Sequence, residues 1–340
     1  MDGNFVGLQN FHEYFQTPAL LISITNSLSV AFFTALIVLV LAFIYAYALT
    51  RTKMPFRLFF RGVALIPILA PSLLAAISLI YWFGNQGVLK SWLFGSSIYG
   101  PIGVIMASCF WVFPHALMIL ITALSTADAR LYEAAEALRT PKWRIFWTVT
   151  LPGAKYGILS TGFVVFTLVI TDFGVPKVIG GNFNVLATDV YKQVVGQQNF
   201  EMGAVVSLVL LLPAVVAFIA DRWVQRKQIA LLSARAVPFQ PKSEPLRDWL
   251  LFGFCTIIAF IFLAMLGMAA YASFVTFSPY NLTLSLNNYD FDLMDGGGWE
   301  AYYNSIRMAI YCAVFGSGLI FFGSYLVEKA RGIMLSLIHI

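Results

Sequence analysis

Residues 128–152, with the sequence DARLYEAAEALRTPKWRIFWTVTLP, form an island of charge in a chain that is otherwise mostly apolar. We call this stretch the charged loop. Asp128 is a favourable N-cap and predicts the start of a short helix there. At helical spacing, this helix has one apolar face, made of Leu131, Ala134, Ala135 and Leu138. Two acidic residues lie off that face, Glu133 and Glu136.

A second helix is predicted immediately after the first. Thr140 followed by Pro141 is typical of an N-cap and a proline at the first helical position. This helix is expected to carry three aromatic residues on one side, Trp143, Phe146 and Trp147. Leu151 and Pro152 are expected to end it.

The composition on either side of the charged loop is that of an integral membrane protein. Hydrophobic residues make up 60% of the 340 and charged residues 11%, against roughly 25% in soluble domains. The mean hydropathy is +0.81. A large soluble protein would have to bury several uncharged runs that are each long enough to cross a bilayer. We therefore expect an all-α integral membrane protein.

About seven membrane-spanning helices are expected from the apolar runs. The predicted spans are 22–49, 62–83, 101–124, 156–171, 202–220, 249–274 and 303–327. The fourth is short for a spanning helix. After it, residues 186–196 (LATDVYKQVVG) predict a short amphipathic helix capped by Thr188.

The basic residues predict which way the spans run. Four segments on one side hold 17 of the 21 Lys and Arg residues, namely 51–61, 130–155, 222–247 and 329–331. By the positive-inside rule these segments are cytoplasmic, and the N-terminus is outside. The net charge of +5 is thus explained by membrane orientation, without nucleic-acid binding. We expect a multi-pass membrane protein, in contact with lipid.

A long-range repeat suggests two related halves. Asn26, Ser27 and the run to Tyr47 align without gaps on Asn304, Ser305 and the run to Tyr325, at an offset of 278 residues. The two runs have the same direction, which indicates a parallel repeat of about six helices. The alternative is that two ordinary apolar helices resemble each other by composition.

The repeat leads to a prediction of domain organisation. Residues 1–229 would form a first repeat that lacks its first helix, 230–247 a cytoplasmic linker, and 248–334 the start of a second repeat. The last six residues, LSLIHI at 335–340, match one reading frame of a transposon end used in sequencing libraries, and we interpret them as an artefact. A full-length protein would then have about twelve helices.

The sequence offers little catalytic chemistry. It contains no GxxxxGK[ST] phosphate loop, so any nucleotide hydrolysis is expected from a partner. Glu133 and Glu136 have no candidate nucleophile nearby, which favours a solvated or docking surface over acid–base catalysis. We expect neither an enzyme nor a resident cofactor or metal.

Polar residues within or near the spans are candidates for a solute path. They are Asn26, Ser27, Thr167 and Asp172. Asp172, after the fourth span, could pair with Lys177, face a polar path, or lie at the headgroup level. Each of the others could equally hydrogen-bond between helices.

The charged loop resembles the inner-membrane permease family of bacterial binding-protein-dependent ABC importers. That family carries Glu-Ala-Ala, three residues, Gly, nine residues, and then Ile-x-Leu-Pro. Here Glu133, Ala134 and Ala135 are followed at the same spacings by Arg139, Val149 and then Leu151 and Pro152. Arg139 departs from the family glycine, and we expect it either to lengthen the first helix or to strain the bend.

The resemblance implies partners and a mechanism. A separate cytoplasmic ATP-binding subunit would receive the first helix in a groove, with Glu133, Ala134 and Ala135 as the docking face. The aromatic residues of the second helix would anchor the loop to the membrane domain. A periplasmic solute-binding protein would deliver the solute to the outer face.

The resemblance extends to residues 1–334, with the layout of the ferric iron branch. Within it, the stretches 164–181 and 185–214 look most like permeases for 2-aminoethylphosphonate. Ferric iron is the alternative solute. Two other classes are an ATP-independent secondary transporter, which would need ion-coupling carboxylates deep in the spans, and a non-transporting scaffold or inactive fragment.

Overall fold

The computed structural model describes residues 7–229, 237, 239–291 and 297–329. Their regular secondary structure is helical apart from one β-hairpin, which confirms the all-α prediction. The chain divides into two compact units, one ending at Ala272 and one beginning at Ser273. Residues 230–236 and 238 of the predicted linker and the predicted artefact at 335–340 lie outside the described residues.

The first unit contains helices α1 to α12. They are α1 (Gln9–Gln16), α2 (Pro18–Arg51), α3 (Arg57–Leu65), α4 (Ser72–Phe83), α5 (Pro101–Ser125), α6 (Ala129–Ala137), α7 (Lys142–Ile145), α8 (Leu151–Ile170), α9 (Gly174–Ile179), α10 (Leu186–Tyr191), α11 (Phe200–Ile229) and α12 (Pro245–Phe274). Short 3-10 turns follow α3 (Ile66–Leu69) and precede α5 (Lys90–Leu93). π-helical turns follow α7 (Phe146–Thr150) and α10 (Lys192–Gly196).

Among the described residues, six helical stretches are long and apolar enough to cross a membrane. They are Pro18–Arg51, Pro101–Ser125, Lys142–Ile170, Phe200–Arg226, Pro245–Phe274 and Gly298–Leu326. Six of the seven predicted spans fall within or overlap these stretches.

The second predicted span, 62–83, is not a straight helix. The stretch Arg57–Leu69 and helix α4 meet at a bend of 104°. Pro67 lies in the 3-10 turn, and Pro71 is extended, with ψ 148°. Proline lacks the backbone N–H that a helix needs and disfavours a helical conformation in the residue before it, so the two prolines break the span. The chain has up to seven spans only if this broken pair counts as one.

The fourth span begins earlier than predicted. Helix runs from Lys142 to Ile170 through the π-helical turn Phe146–Thr150. The prediction that Leu151 and Pro152 end the second helix is therefore wrong. The wider π turn immediately before Pro152 accommodates a proline ring that would clash with a regular preceding turn.

The core of the first unit lies between α2, α5 and α8, with α11 packed on α8. Small residues allow the helices to approach closely. A Cβ atom at Gly157 of α8 would lie 2.2 Å from the Cβ atom of Ala123 in α5. Helices in lipid gain no hydrophobic free energy from association, so close packing of this kind supplies the attraction between them. It also makes the α5–α8 contact rigid.

The second unit contains a β-hairpin and two joined helices. Strands β1 (Val275–Phe277) and β2 (Asn281–Leu284) are antiparallel, with Val275 opposite Leu284. Helices α13 (Gly298–Tyr311) and α14 (Ser317–Lys329) are continuous through a π-helical turn. The sequence analysis did not predict this hairpin.

Candidate functional site

Helix α6 begins after Asp128, as the sequence predicted. The carboxylate of Asp128 accepts a hydrogen bond from the backbone N–H of Arg130 at 3.1 Å, which confirms Asp128 as the N-cap. The same carboxylate accepts from the N–H of Val237 at 3.3 Å, and the N–H of Ala129 donates to the Val237 carbonyl at 2.9 Å. The start of α6 is thus paired with a residue that lies more than a hundred positions later.

The two faces of α6 have opposite environments. Ala129 and Tyr132 are buried, and the Tyr132 hydroxyl donates to Thr150 Oγ1 at 3.1 Å. The apolar face predicted from the sequence points away from the protein, because Leu131 is 59% and Leu138 80% exposed. On or beside this face, Glu133, Ala134 and Glu136 are exposed and Ala135 is half-buried. Helix α6 is thus held on its buried face and exposes an apolar surface on the other.

Arg139 occupies a strained position after α6. Its φ of +52° lies in the left-handed region that favours glycine. Its N–H donates to the Glu136 carbonyl at 2.8 Å, and the N–H of Thr140 donates to the Ala135 carbonyl at 3.0 Å. These two bonds form a Schellman motif. Of the two outcomes expected for Arg139, the structure has the strained bend and not the longer helix.

The second helix of the loop differs from prediction in two ways. Thr140 belongs to the end of α6, and Pro141 stands at the N-cap of α7 without a side-chain hydrogen bond, so the N-cap prediction was wrong by one residue. Only one of the three aromatic residues packs inward as an anchor. Phe146 contacts Phe43 and Tyr47 of α2, with ring centroids 6.2 and 6.0 Å apart.

The other members of the second helix divide between exposed and partly buried. Trp143 is 71% and Trp147 47% exposed, and the two rings contact each other with centroids 5.3 Å apart. Of the remaining motif positions, Val149 and Leu151 are half-buried and Pro152 is exposed. Two exposed tryptophans near the end of a span are typical of the membrane interface.

Arg51 is central to the site, although its sequence position predicts only a basic residue at the cytoplasmic end of a span. It ends α2, is 3% exposed, and donates from Nη2 to the Leu124 carbonyl at the end of α5 at 2.6 Å. Its guanidinium lies 4.9 Å from the ring centre of Tyr132 and 4.3 Å from that of Phe239. Arg51 therefore joins the ends of two spans to α6. Its sequence neighbourhood gives no indication of this role.

Val237 and residues 239–248, which we call the linker segment, complete the base of the loop. The Phe239 ring packs on Tyr132 at 4.6 Å. Lys242 forms an ion pair with Glu136, and Lys142 forms one with Glu244 at 2.6 Å. The hydrogen bond and charge of Glu136 raise the pKa of the Lys242 ammonium. These ion pairs are partly exposed and weak, so the buried aromatic contacts dominate.

The predicted path residues of α2 are used in packing at the other end of the bundle. The Asn26 side chain donates to the Asn184 carbonyl at 2.9 Å, and the Ser27 hydroxyl accepts from the N–H of Leu186 at 2.8 Å. Both bonds fasten α2 to the start of α10. Val185 holds the N-cap position of α10, and Thr188 caps the helix from the third helical position, where its hydroxyl accepts a hydrogen bond from the N–H of Val185 at 3.1 Å.

A buried polar cluster missed by the sequence analysis lies beside this contact. Asp189 is 5% exposed, and its carboxylate accepts a hydrogen bond from Ser23. Burial raises the pKa of the Asp189 carboxyl, and burial also raises the pKa of Tyr14 to about 12. The cluster holds the buried residues of α10 against α2. Helix is present over the predicted residues 186–196, as α10 and the π-helical turn that follows it.

Asp172 connects the broken span to the end of α8. Its carboxylate accepts from the Ser72 hydroxyl at 3.0 Å and from the N–H groups of Gly174 and Val175 at 3.3 and 3.1 Å. Lys177 instead lies over the Tyr191 ring at 4.2 Å, so the considered pair with Asp172 does not form.

Thr167, the remaining path candidate, donates to the Phe163 carbonyl of its own helix at 2.9 Å. The four path candidates thus make contacts in separate places, apart from the neighbours Asn26 and Ser27. Their role in a solute path stays a prediction.

These features define a multi-pass helical membrane protein with an ordered charged loop held at one end of its bundle. The chain belongs to the family described as binding-protein-dependent transport system inner membrane component, which it matches over residues 39–230. Membership confirms the predictions of a permease component, an inner-membrane location and a role other than that of an enzyme.

Two relatives named for ferric transport show similarity along most of the chain. The ferric transport system permease protein FbpB of Actinobacillus pleuropneumoniae is 26% identical over 84% of this chain and 44% of its own length. A Haemophilus influenzae relative, FbpB 1, is 27% identical over 90% of this chain and 50% of its own length. The chain thus spans about half the length of these relatives.

A solved structure shows the same fold. It is a bacterial alginate ABC transporter in complex with an alginate pentasaccharide-bound periplasmic protein, and one of its chains is similar with a TM-score of 0.50. The identity is 14%, over 68% of this chain and 85% of that one.

Proposed function

We propose that the chain is the membrane-spanning part of an ATP-driven importer and that α6 docks into a separate ATP-binding subunit. The observation that carries this is the outward apolar face of α6. Leu131 and Leu138 are largely exposed, while Tyr132 on the opposite face is buried. Exposed apolar surface on an ordered helix is typical of a protein interface. Glu133, Ala134 and Ala135 would form its polar and close-contact part, and Arg139 would set the exit angle of the chain.

The contacts beneath α6 connect it to the ends of the spans. A displacement of α6 would act through Tyr132 on Arg51, and through Arg51 on the ends of α2 and α5. Through Phe146, the turn after α7 would act on Phe43 and Tyr47, near the C-terminal end of α2. Because interfaces packed in this way move as units, closure of the ATP-binding subunits would become a rigid-body movement of the spans.

The partner on the opposite side would be a periplasmic solute-binding protein. The family description names binding-protein-dependent transport, and the similar alginate transporter was solved with its periplasmic protein. The side of the membrane is a prediction from the positive-inside rule, by which the segments rich in Lys and Arg, α6 among them, are cytoplasmic.

The test of docking is a charge reversal on the exposed face of α6. An ATP-binding subunit encoded beside the chain should copurify with the wild type and should be lost with Glu133→Arg, because a reversed charge at an interface costs several kcal/mol. The matched control is Glu201→Arg, an exposed acidic residue at the start of α11. This control should retain the subunit.

Retention of the subunit by Glu133→Arg would contradict docking through α6. Failure of the wild type to bind any ATP-binding subunit, together with uptake driven by an ion gradient, would favour a secondary transporter. Among the described residues, no carboxylate lies in the middle of a spanning stretch, which counts against that alternative. Asp172 follows the end of α8, and the buried Asp221 and Asp248 each lie near one end of their stretch.

Two solutes are candidates. The stretches at 164–181 and 185–214 resemble permeases for 2-aminoethylphosphonate, whereas the relatives reported above are named for ferric transport. Calorimetric titration of the solute-binding protein encoded at the same locus, with 2-aminoethylphosphonate and separately with ferric citrate, distinguishes them. Tight binding of neither compound would remove both candidates without affecting the docking proposal.

A further inference from the structure

A second basic feature lies at the same end of the bundle as the charged loop. It is a cavity of about 530 Å³ between the end of α2, helix α3 and the end of α5. Its polar lining consists of Arg51, Arg57, Arg61, Thr50 and Ser125, and the remaining lining residues are apolar. The lining contains three guanidinium groups and no carboxylate.

The arginines of this cavity have donors to spare. Arg51 is only 3% exposed, and its Nε has no hydrogen-bond partner among the described residues. Arg57 donates one bond, from Nη1 to the Thr52 carbonyl at 3.3 Å. A buried guanidinium without a full set of acceptors is unfavourable, and an anion with several oxygens, which can accept two of its N–H bonds at once, satisfies it best. The cavity is therefore suited to a phosphate or carboxylate group.

The surroundings of the cavity favour a lipid as the source of that anion. Helix α3 has the sequence RLFFRGVAL and lies beside the end of a membrane span. Leu58 is 84%, Phe59 54% and the preceding Phe56 71% exposed. Arginines interleaved with exposed large apolar side chains are typical of a helix that lies in the lipid interface.

We propose that this cavity binds the phosphate headgroup of an anionic phospholipid, with Arg51, Arg57 and Arg61 as its ligands. The acyl chains would lie along the exposed apolar side chains of α3. Basic pockets between spans on the cytoplasmic side are suited to such headgroups.

The site has a consequence for α6. Arg51 lines the cavity, and its guanidinium also lies over the Tyr132 ring. A bound phosphate would fix the guanidinium and so hold α6 in place. This consequence rests on the proposed function, whereas lipid binding itself does not.

The experiment measures lipid binding to the purified chain. Delipidated protein in detergent is titrated with dioleoyl phosphatidylglycerol or dioleoyl phosphatidylcholine, and bound lipid is counted by native mass spectrometry. We expect Arg57→Gln combined with Arg61→Gln to weaken phosphatidylglycerol binding about tenfold or more. The matched control is Lys53→Gln, an exposed basic residue of the same loop outside the cavity, which should bind like the wild type.

Three results would overturn the proposal. Equal weakening by Lys53→Gln would show diffuse attraction to charge and no site. Equal binding of phosphatidylcholine, whose phosphate charge is balanced by choline, would show that the cavity does not select an anionic headgroup. Displacement of the lipid by millimolar inorganic phosphate would assign the cavity to a soluble phosphate compound.

A folding control keeps the test decisive. Arg57→Lys with Arg61→Lys retains the charge at both positions, and it should bind more tightly than the double Gln variant. If the double Gln variant does not give a single gel-filtration peak, Arg61→Gln alone decides the question, because Arg61 is exposed. Wild-type binding by that single variant would then count against the site.

Discussion

Arg139 shows how one residue fixes the geometry of the charged loop. It holds a left-handed conformation, φ +52°, and both bonds of the Schellman motif are formed around it. For a residue with a Cβ atom, this conformation costs about 1 kcal/mol or more. The motif therefore closes α6 in the way glycine would, but with strain in the bend.

Replacing Arg139 with glycine should relieve this strain. We expect Arg139→Gly to raise the free energy of unfolding by about 1 kcal/mol, measured as a higher apparent melting temperature of the purified chain. In an assembled transporter, the same substitution should raise the coupling of ATP hydrolysis to transport.

The control for Arg139 is its neighbour. Leu138 has a φ of −81°, so Leu138→Gly gains nothing from conformational freedom and should destabilise the chain by roughly 0.5–1 kcal/mol. If Arg139→Gly and Leu138→Gly lower the melting temperature alike, the strain argument is wrong.

At the scale of elements, α6 depends on contacts from distant segments. Tyr132 has Arg51 of α2 on one side, Phe239 of the linker segment beside it, and Thr150 at its hydroxyl. A nine-residue helix is not stable alone, so these tertiary contacts hold it. Removing one of them should loosen α6 selectively.

Phe239→Ala tests this dependence. The substitution removes the ring that covers both Arg51 and Tyr132, so backbone amides of α6 should exchange with solvent about tenfold faster or more, measured by hydrogen–deuterium exchange. The control Phe200→Ala, a 60% exposed aromatic residue at the start of α11, should leave α6 unchanged. Unchanged protection in Phe239→Ala would mean that the Phe239 ring does not support α6.

The elements differ in how well the sequence predicts them, for physical reasons. Helices α2, α5, α11 and α12 follow from long uncharged runs, since a bilayer demands their length. The N-cap of α6 follows from Asp128, because capping is local. The break near Pro67 and Pro71 also has a local cause. It was not predicted, because the apolar run continues across both prolines and indicates one straight span.

The base of the charged loop could not be predicted in the same way. Arg51 meets Tyr132 and Phe239 only after three separate segments of the chain come together. Hydropathy and spacing contain no information on which basic residue becomes buried. The same holds for Asp189, whose partner Ser23 lies 166 residues away.

For the whole molecule, the contacts show that the basic segments of the first unit meet at one end. Arg51, Tyr132 and Phe239 belong to three of the four basic segments and touch one another. The contacts of Asn26 and Ser27 with the start of α10 lie toward the other end of α2. The positive-inside rule then predicts that the first end is cytoplasmic. The assignment of two parallel repeats stays a prediction from the sequence.

Labelling of single cysteines tests this orientation, on which the docking of α6 depends. In a background with Cys109, Cys255 and Cys312 changed to alanine, two variants report on the basic end (Lys53→Cys and Arg144→Cys) and two on the other end (Ser96→Cys and Gln197→Cys); all four positions are exposed. A membrane-impermeant maleimide should label the second pair in intact spheroplasts and the first pair only in inverted vesicles. The reverse pattern would place α6 outside the cell, where no ATP-binding subunit could reach it, and would refute the proposed function. Because the charge asymmetry is large, 17 of 21 basic residues on one side, we expect a single orientation and not a mixture.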